Sequence, residues 1–259
     1  MPLEQLNLET RLNKVEVSIR LLQAWEPPEG YYGAFSGGKD SVGIYKIASL
    51  AKVKVDWHYC VSPIDPPQIY QFIKEHYPDI LWDYHAKGWW QTVAKRQLPM
   101  RQARWCCEVI KEAGGIGRVI IVGNRRAEGT IRKHQKCYEK HRTIEKTFIR
   151  PIIDWSDYDI WQFIRENNLP YCSLYDEGAQ RKGYGEGYFK RLGCVLCPFS
   201  RQVELEKRYF PKIVACWRRV CDRIVADRLS RGNLTKRGKP YKQQFQTGQE
   251  LFDWWIRRD

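Results

Sequence analysis

Six residues, Ser36-Gly37-Gly38-Lys39-Asp40-Ser41, stand between a short apolar run, Tyr31–Phe35, and a stretch with helical apolar spacing, Val42–Leu50. The order is strand, glycine loop, helix. Glycine lets backbone amides approach an anion with no Cβ in the way, and the helix N-terminus behind the loop adds partial positive charge. Lys39 brings a mobile cation for phosphate oxygens. From Gly33 to Lys39 the chain almost spells the G-x-x-x-x-G-K-[ST] pattern, but Asp40 stands where that pattern has a hydroxyl for Mg²⁺. An ordinary P-loop NTPase is therefore disfavoured. Asp40 is a candidate for contact with Mg²⁺ or for ordering the loop, and capping the following helix is the competing role.

The rest of the chain extends this unit. Val53–Val61 predicts the next strand, closed by Pro63, Pro66 and Pro67, and Gln68–His76 a helix. Asp79–Tyr84 is a short strand or loop, Val119–Val122 a β-branched strand, and Asp157–Asn167 a helix. Alternating strands and helices predict an α/β fold, a parallel twisted sheet with helices on both faces. Leu3–Trp25 has the spacing of an amphipathic helix and stops at Pro27-Pro28-Glu29-Gly30. Glu204–Leu229 predicts one long basic helix, Ser230–Gln249 is polar and rich in turns, and Leu251–Ile256 is aromatic. The expected organisation is an N-terminal helix (1–28), a nucleotide-binding domain (29–199) and a basic C-terminal extension (200–259).

Of the 259 residues, 44 are Lys or Arg and 30 are Asp or Glu, a net charge of +14. Residues 200–259 hold 15 of the bases and 7 of the acids, so +8 of the excess lies there. Such a balance favours a polyanionic partner, nucleic acid first, over a merely solvated surface. No apolar run reaches the ~18 residues of a membrane span. No secretory signal opens the chain, and the expected compartment is the cytoplasm.

There are nine cysteines, an odd number. With no export signal, metal or redox cysteines are expected rather than a disulfide framework. Cys194 and Cys197 form a C-x-x-C turn that points two thiolates at one metal. Cys106 and Cys107 are adjacent, a spacing that suits zinc poorly and an iron–sulfur cluster better. Arg104 and Lys111 flank that pair and favour thiolates. Cys216 and Cys221 are expected in the core.

Ser36–Ser41 resembles the PP-loop of the ATP pyrophosphatase superfamily, in which the loop grips the pyrophosphate end of ATP. A vicinal cysteine pair followed by C-x-x-C resembles the [4Fe–4S] ligand set of the adenylylsulfate reductases in the phosphoadenylylsulfate (PAPS) reductase family. Gly123-Asn124-Arg125-Arg126-Ala127-Glu128, Arg150–Trp155 and Leu169–Gly178 also look like segments of that family. The resemblance runs from about Tyr32 to Pro198. It implies ATP as substrate, Mg²⁺, and a [4Fe–4S] cluster on Cys106, Cys107, Cys194 and Cys197. Lys39 and Asp40 would be catalytic, and Ser36, Gly37, Gly38, Lys39, Asp40, Ser41, Asp65, Arg125 and Arg126 would bind the nucleotide. Asp65 ends the second strand, where open sheets bind ligands, although a turn role beside Pro66 competes.

The reductases of that family carry a catalytic cysteine in a Glu-Cys-Gly-x-His segment, and this chain has no cysteine after Cys221. What remains is similar to the PP-loop sulfur-transfer enzymes, above all the ATP-pyrophosphatase component of bacterial DNA phosphorothioation systems and then the tRNA thiolases. That likeness implies adenylation of an acceptor on nucleic acid, DNA before tRNA, with sulfur from a cysteine desulfurase partner and a possible homodimer. A sulfonucleotide reductase supplied with a cysteine in trans is the alternative. Arg132 and the basic loop Lys133–Lys146, with His134 and His141, are further candidates for an acceptor strand; Glu128 is expected to pair with an arginine, and Trp89 and Trp90 to be buried.

Overall fold

The computed structural model describes residue 3 and residues 12–176, 189–235 and 237–257. In chain order it forms α1 (Lys14–Ala24), β1 (Tyr31–Ala34), α2 (Lys39–Ala51), β2 (Val55–Cys60), α3 (Pro67–His76), β3 (Leu81–Asp83), α4 (Trp89–Arg96), α5 (Trp105–Ile110), β4 (Val119–Ile121), β5 (Tyr138–Lys140), β6 (Thr147–Ile149), α6 (Asp157–Glu166), α7 (Val203–Tyr209), α8 (Pro211–Ser230) and α9 (Gly248–Arg257). The sheet runs β3-β2-β1-β4-β6-β5. Every pairing is parallel except that of β5 with β6. This is the expected α/β fold.

From β1 the chain steps outward to β2 and β3, then returns to place β4 on the other side of β1. Right-handed crossovers put the connections before and after that reversal on opposite faces, and the crevice at the reversal point is where open sheets hold ligands. Tyr45 of α2 packs on Phe35 and Trp57, with ring centroids 5.9 and 5.1 Å apart. Gly33 allows this crowding, since a Cβ there would sit 2.2 Å from the Trp57 ring. By register, Tyr32, His58, Cys60 and Asp83 share the opposite face. There a Cβ on Gly114 or Gly115, just after α5, would collide with Tyr32 or Ile120.

Three elements depart from the sequence reading. The N-terminal helix begins at Lys14 because Asn13 and Glu16 form a reciprocal capping box; residues 4–11 lie outside the described residues. The long basic helix is two, α7 and α8, because Pro211 has no N–H to continue the ladder and Phe210 leaves helical geometry at φ −122°. The loop Lys133–Lys146 contains a strand, β5, which pairs with β6 and covers that edge of the sheet.

α1 and α6 both pack against α2, and α8 packs against α4 and α9. Trp89 and Trp217 are buried, within an indole group completed by Trp90, Trp105 and Trp255. Of the residues expected in the core, Trp89 and Cys221 are buried, whereas Trp90 and Cys216 are only half-buried at its edge. Among the described residues no helix is long and apolar enough to cross a membrane.

Candidate active site and cysteine pocket

The glycine loop lies between β1 and α2, at the reversal point of the sheet. Gly37 adopts φ +70°, which favours glycine, and a Cβ there would meet Ile69 of α3 at 2.8 Å. The Ser41 hydroxyl donates to the Gly38 carbonyl at 2.7 Å, closing the turn. The Lys39 amide donates to the Tyr175 hydroxyl at 3.0 Å. That amide belongs to the first turn of α2, where an anion's oxygen would be received.

Beneath the loop four charged groups interlock. The Lys39 ammonium, buried at 4% exposure, lies 3.1 Å from Asp40 Oδ2 and 3.3 Å from Asp157 Oδ1. Arg125 is fully buried; its Nε donates to Asp40 Oδ1 and its Nη2 to Asp157 Oδ1, both at 2.7 Å. A further guanidinium N–H reaches the Trp155 carbonyl at 3.3 Å. Burial disfavours the Asp157 carboxylate, but Lys39 and Arg125 outweigh it and hold its pKa below the ordinary 3.8. Burial likewise disfavours charge on Arg125, yet Asp40 and Asp157 raise its pKa. Two cations and two carboxylates leave the loop floor close to neutral, so the pull on an anion comes from the helix end and from a Lys39 already held in place.

Asp40 is not the helix cap; Gly38 holds that position, and both Asp40 oxygens are taken by Arg125 and Lys39. Asp40 therefore orders the loop. Arg126 turns outward to Asp154 and the Gln135 carbonyl. Glu128 pairs with Arg132, as expected, and accepts from the Arg125 amide at 3.0 Å. Asp157 and Tyr175 are members of this site that the sequence reading missed. Asp157 looked only like the start of a helix, and Tyr175 lay in a family-like segment whose last residues, Glu177 and Gly178, are outside the described residues.

The four predicted cysteines come together. Cys106 and Cys107 sit on α5, and the turn Cys194–Cys197 closes on them around a cavity of about 20 Å³. Ile64, Leu196 and Trp217 supply apolar wall. The turn is fastened by the Val195 amide to the Ile64 carbonyl at 2.7 Å and the Leu196 amide to Glu206 Oε2 at 2.7 Å. Leu196 takes φ +58°, which the turn imposes on a non-glycine residue. Cys107 is drawn down to about 6, first by a hydrogen bond from Cys106 and then by Arg104, whose guanidinium is 3.1 Å from its sulfur. Burial pushes the Cys194 thiol up despite the Lys111 ammonium beside it.

Asp65 belongs to this pocket. Its Oδ2 accepts from the Tyr59 hydroxyl at 3.0 Å, and its Oδ1 lies 3.6 Å from the Lys111 ammonium and near Cys194. The turn after β2 thus carries Asp65, expected at the nucleotide, toward Lys111 and the cysteines. Buried Asp65 Oδ1 and the Trp217 indole N–H have no hydrogen-bond partner among the described residues.

The model of the phosphoadenosine phosphosulfate reductase domain matches residues 31–200, two-thirds of the chain, including the glycine loop and all four pocket cysteines. The chain belongs to this family. It is 28% identical over 204 residues to an uncharacterised protein of Methanocaldococcus jannaschii, covering 72% of this chain and 40% of that one. It is 30% identical over 188 residues to a probable FAD synthase of Schizosaccharomyces pombe, 66% of each. It is 26% identical over 156 residues to an adenosine 5'-phosphosulfate reductase of Allochromatium vinosum, covering 52% of this chain and 54% of the relative. This PAPS reductase-family chain spans 40% and 48% of the length of two curated M. jannaschii relatives.

In this family member the charge lattice makes stability depend on acid. Asp157's folded pKa lies below its ordinary 3.8, so its pairing contributes fully above that value and is lost as pH falls through the lower folded one. Arg125→Met is expected to cost about 1–3 kcal/mol at neutral pH, because two carboxylates each lose one of their two cationic partners. Urea unfolding should show the parent losing more stability than the variant on going from about pH 5 to about pH 2.5.

Proposed function

We propose that this chain is a PP-loop enzyme that splits ATP between the α- and β-phosphorus atoms and passes adenylate to an oxygen of a nucleic acid, DNA before tRNA, for replacement by sulfur. The observation that carries this reading is Lys39, buried on the first turn of α2 and held by two carboxylates beside a glycine loop. In this reading the acceptor oxygen attacks the α-phosphorus, the bond to the bridging oxygen breaks, and pyrophosphate departs against Lys39 and the α2 amides. Adenylation turns a poor leaving group into a good one. A persulfide from a cysteine desulfurase partner then attacks the activated centre, AMP leaves with the former oxygen, and a second thiol cuts the remaining S–S bond and departs as a disulfide. Asp157, 70% exposed beside Lys39, is the carboxylate free to share a Mg²⁺ ion with the triphosphate. That ion would neutralise charge on the phosphates.

Four thiolates around one cavity are the donor set of a [4Fe–4S] cluster on Cys106, Cys107, Cys194 and Cys197, and the C-x-x-C turn would have to move outward to admit it, since about 20 Å³ takes roughly one water. A tetrahedral zinc ion at 2.3 Å from each sulfur needs sulfurs about 3.8 Å apart. Among the described residues, the donor atoms gathered within 4.8 Å of one another belong to other side chains. Unpartnered Trp217 Nε1–H and the Arg104 and Lys111 cations offer the hydrogen bonds and positive charge that cluster sulfurs take. When bound, the cluster would supply redox or sulfur-handling chemistry, with Trp217 forming one wall of its site.

A nucleic-acid partner is supported by a cleft of about 830 Å³ in the basic C-terminal segment, where Arg228, Arg237, Lys239 and Lys242 alternate with Tyr241, Phe245 and Trp254. Cations for phosphates interleaved with rings for bases suit a single strand. An adenosine 5'-phosphosulfate reductase among the relatives favours the second reading, reduction of a sulfonucleotide with a thiol delivered by another chain.

Four measurements test this. Lys39→Ala should reduce release of AMP and pyrophosphate from ATP by at least about 100-fold. Sulfite release from adenylylsulfate with no ATP cleavage would establish the reductase instead. Cys107→Ser should lose most of the iron of anaerobically prepared protein, and zinc in place of iron in the parent would refute the cluster. Replacing Arg237 and Lys242 with Ala should flatten the dependence of log Kd on log salt by about 1.4 for single-stranded DNA.

A further inference from the structure

A second cluster of donors lies on the sheet face away from α2. Cys60 ends β2 and Asp83 ends β3, and the parallel register sets them side by side. His85 follows two residues later. One donor atom each from Cys60, Asp83 and His85 lies within 4.8 Å of the other two. Two of them end adjacent strands, so the backbone fixes those two, and a two-residue step beyond β3 places the third.

The surroundings orient the carboxylate. Asp83 Oδ2 accepts from the Tyr32 hydroxyl at 2.9 Å and lies 3.0 Å from His58 Nδ1. Tyr32 and His58 stack with centroids 4.2 Å apart, which locks both partners. His85 Nε2 is 3.7 Å from the same oxygen. The cluster is separate from the four-cysteine pocket: Cys60 faces the Lys111 carbonyl at 3.9 Å, whereas the Lys111 ammonium lies with Cys194 and Asp65.

We propose that Cys60, Asp83 and His85 bind a divalent transition-metal ion of the zinc type, with His58 and Tyr32 positioning the carboxylate. Thiolate, imidazole and carboxylate together are the ligands of a borderline-soft ion in tetrahedral geometry, with the fourth position left for water. A carboxylate held by a histidine and a phenol is the outer support such ligands have. The thiol and any imidazolium proton leave to solvent as the ion enters. The ion would tie the end of β2 to the loop after β3.

The test uses the full chain prepared anaerobically with its four-cysteine pocket loaded. Titration with zinc chloride, followed by calorimetry and metal analysis, should show a single additional zinc ion per chain. Cobalt chloride should give tetrahedral d–d bands and a sulfur-to-cobalt charge-transfer band. Cys60→Ser should abolish the charge-transfer band, and His85→Ala, at a side chain 34% exposed, should weaken zinc binding at least about tenfold. Iron content should stay unchanged in both. Absence of zinc binding, a charge-transfer band that survives Cys60→Ser, or an affinity indifferent to His85→Ala would overturn the proposal. Circular dichroism of His85→Ala keeps a folding defect distinguishable from a lost ligand.

Discussion

A guanidinium with almost no exposed surface holds the nucleotide-binding end of this molecule together. Arg125 follows β4, Asp40 lies in the first turn of α2, and Asp157 opens α6. Taking an arginine out of water costs several kcal/mol unless its N–H groups are answered, and here two carboxylates and a carbonyl answer them. The compensation is geometric as well as electrostatic. It fixes the distance between the loop after β4 and the start of α2, and Gly123 is the residue that allows that distance. A Cβ on Gly123 would stand 3.2 Å from the Asp40 backbone. Because Asp157 is largely exposed, part of this attraction is screened by solvent. The lattice accordingly serves to position Lys39 more than to stabilise the fold.

The turn between β2 and α3 joins the two sites. Its Ile64 carbonyl receives the Val195 amide of the cysteine turn, and its Ser62 hydroxyl lies 3.8 Å from Cys194. Its Asp65 faces Lys111. Four residues further on, Ile69 is the side chain against which Gly37 of the glycine loop closes. One short rigid segment thus touches both the phosphate loop and the thiols. A change in charge at the cysteines would fall on Asp65 and Lys111 first, and the backbone of Asp65 runs on into α3, which packs against the glycine loop.

What the sequence made legible was local. The strand–loop–helix unit and the C-x-x-C turn are written in consecutive residues, so spacing alone exposes them. The grouping of Cys106 and Cys107 with Cys194 and Cys197 came from the likeness to a family pattern, and the structure brings the same four together. Asp65 was read as a strand-end nucleotide contact with a turn role competing, and nothing local says that Lys111, just after α5, faces it. Asp157 and Tyr175 act across more than a hundred residues of chain, and no periodicity encodes that. The trio of Cys60, Asp83 and His85 depends on strand register, which a sequence does not print. Phe210 hid the break between α7 and α8 because hydrophobic spacing continues across it; Pro211 carried the only signal.

The C-terminal segment shows why a count of charges is a weak guide to what they do. Its excess of +8 reads as a uniformly basic face for a polyanionic partner. Yet α8 supplies Trp217, which walls the cysteine pocket, and α9 supplies Trp255, whose indole N–H donates to the Pro99 carbonyl at 2.8 Å. The apolar side of this segment is thereby committed to covering the thiols. The basic side is left to the cleft, and there Arg228 is not solvated either. Gln97 accepts from its guanidinium at 2.6 and 2.8 Å, and Tyr241 stacks on it at 4.2 Å. Burial lowers its pKa. A cation held this way has already lost most of its side-chain freedom, so an anion that meets it forfeits little further entropy on binding. The same helix that shields the cysteines therefore presents a preorganised cation to whatever enters the cleft, and the two functions constrain one another through the packing of α8.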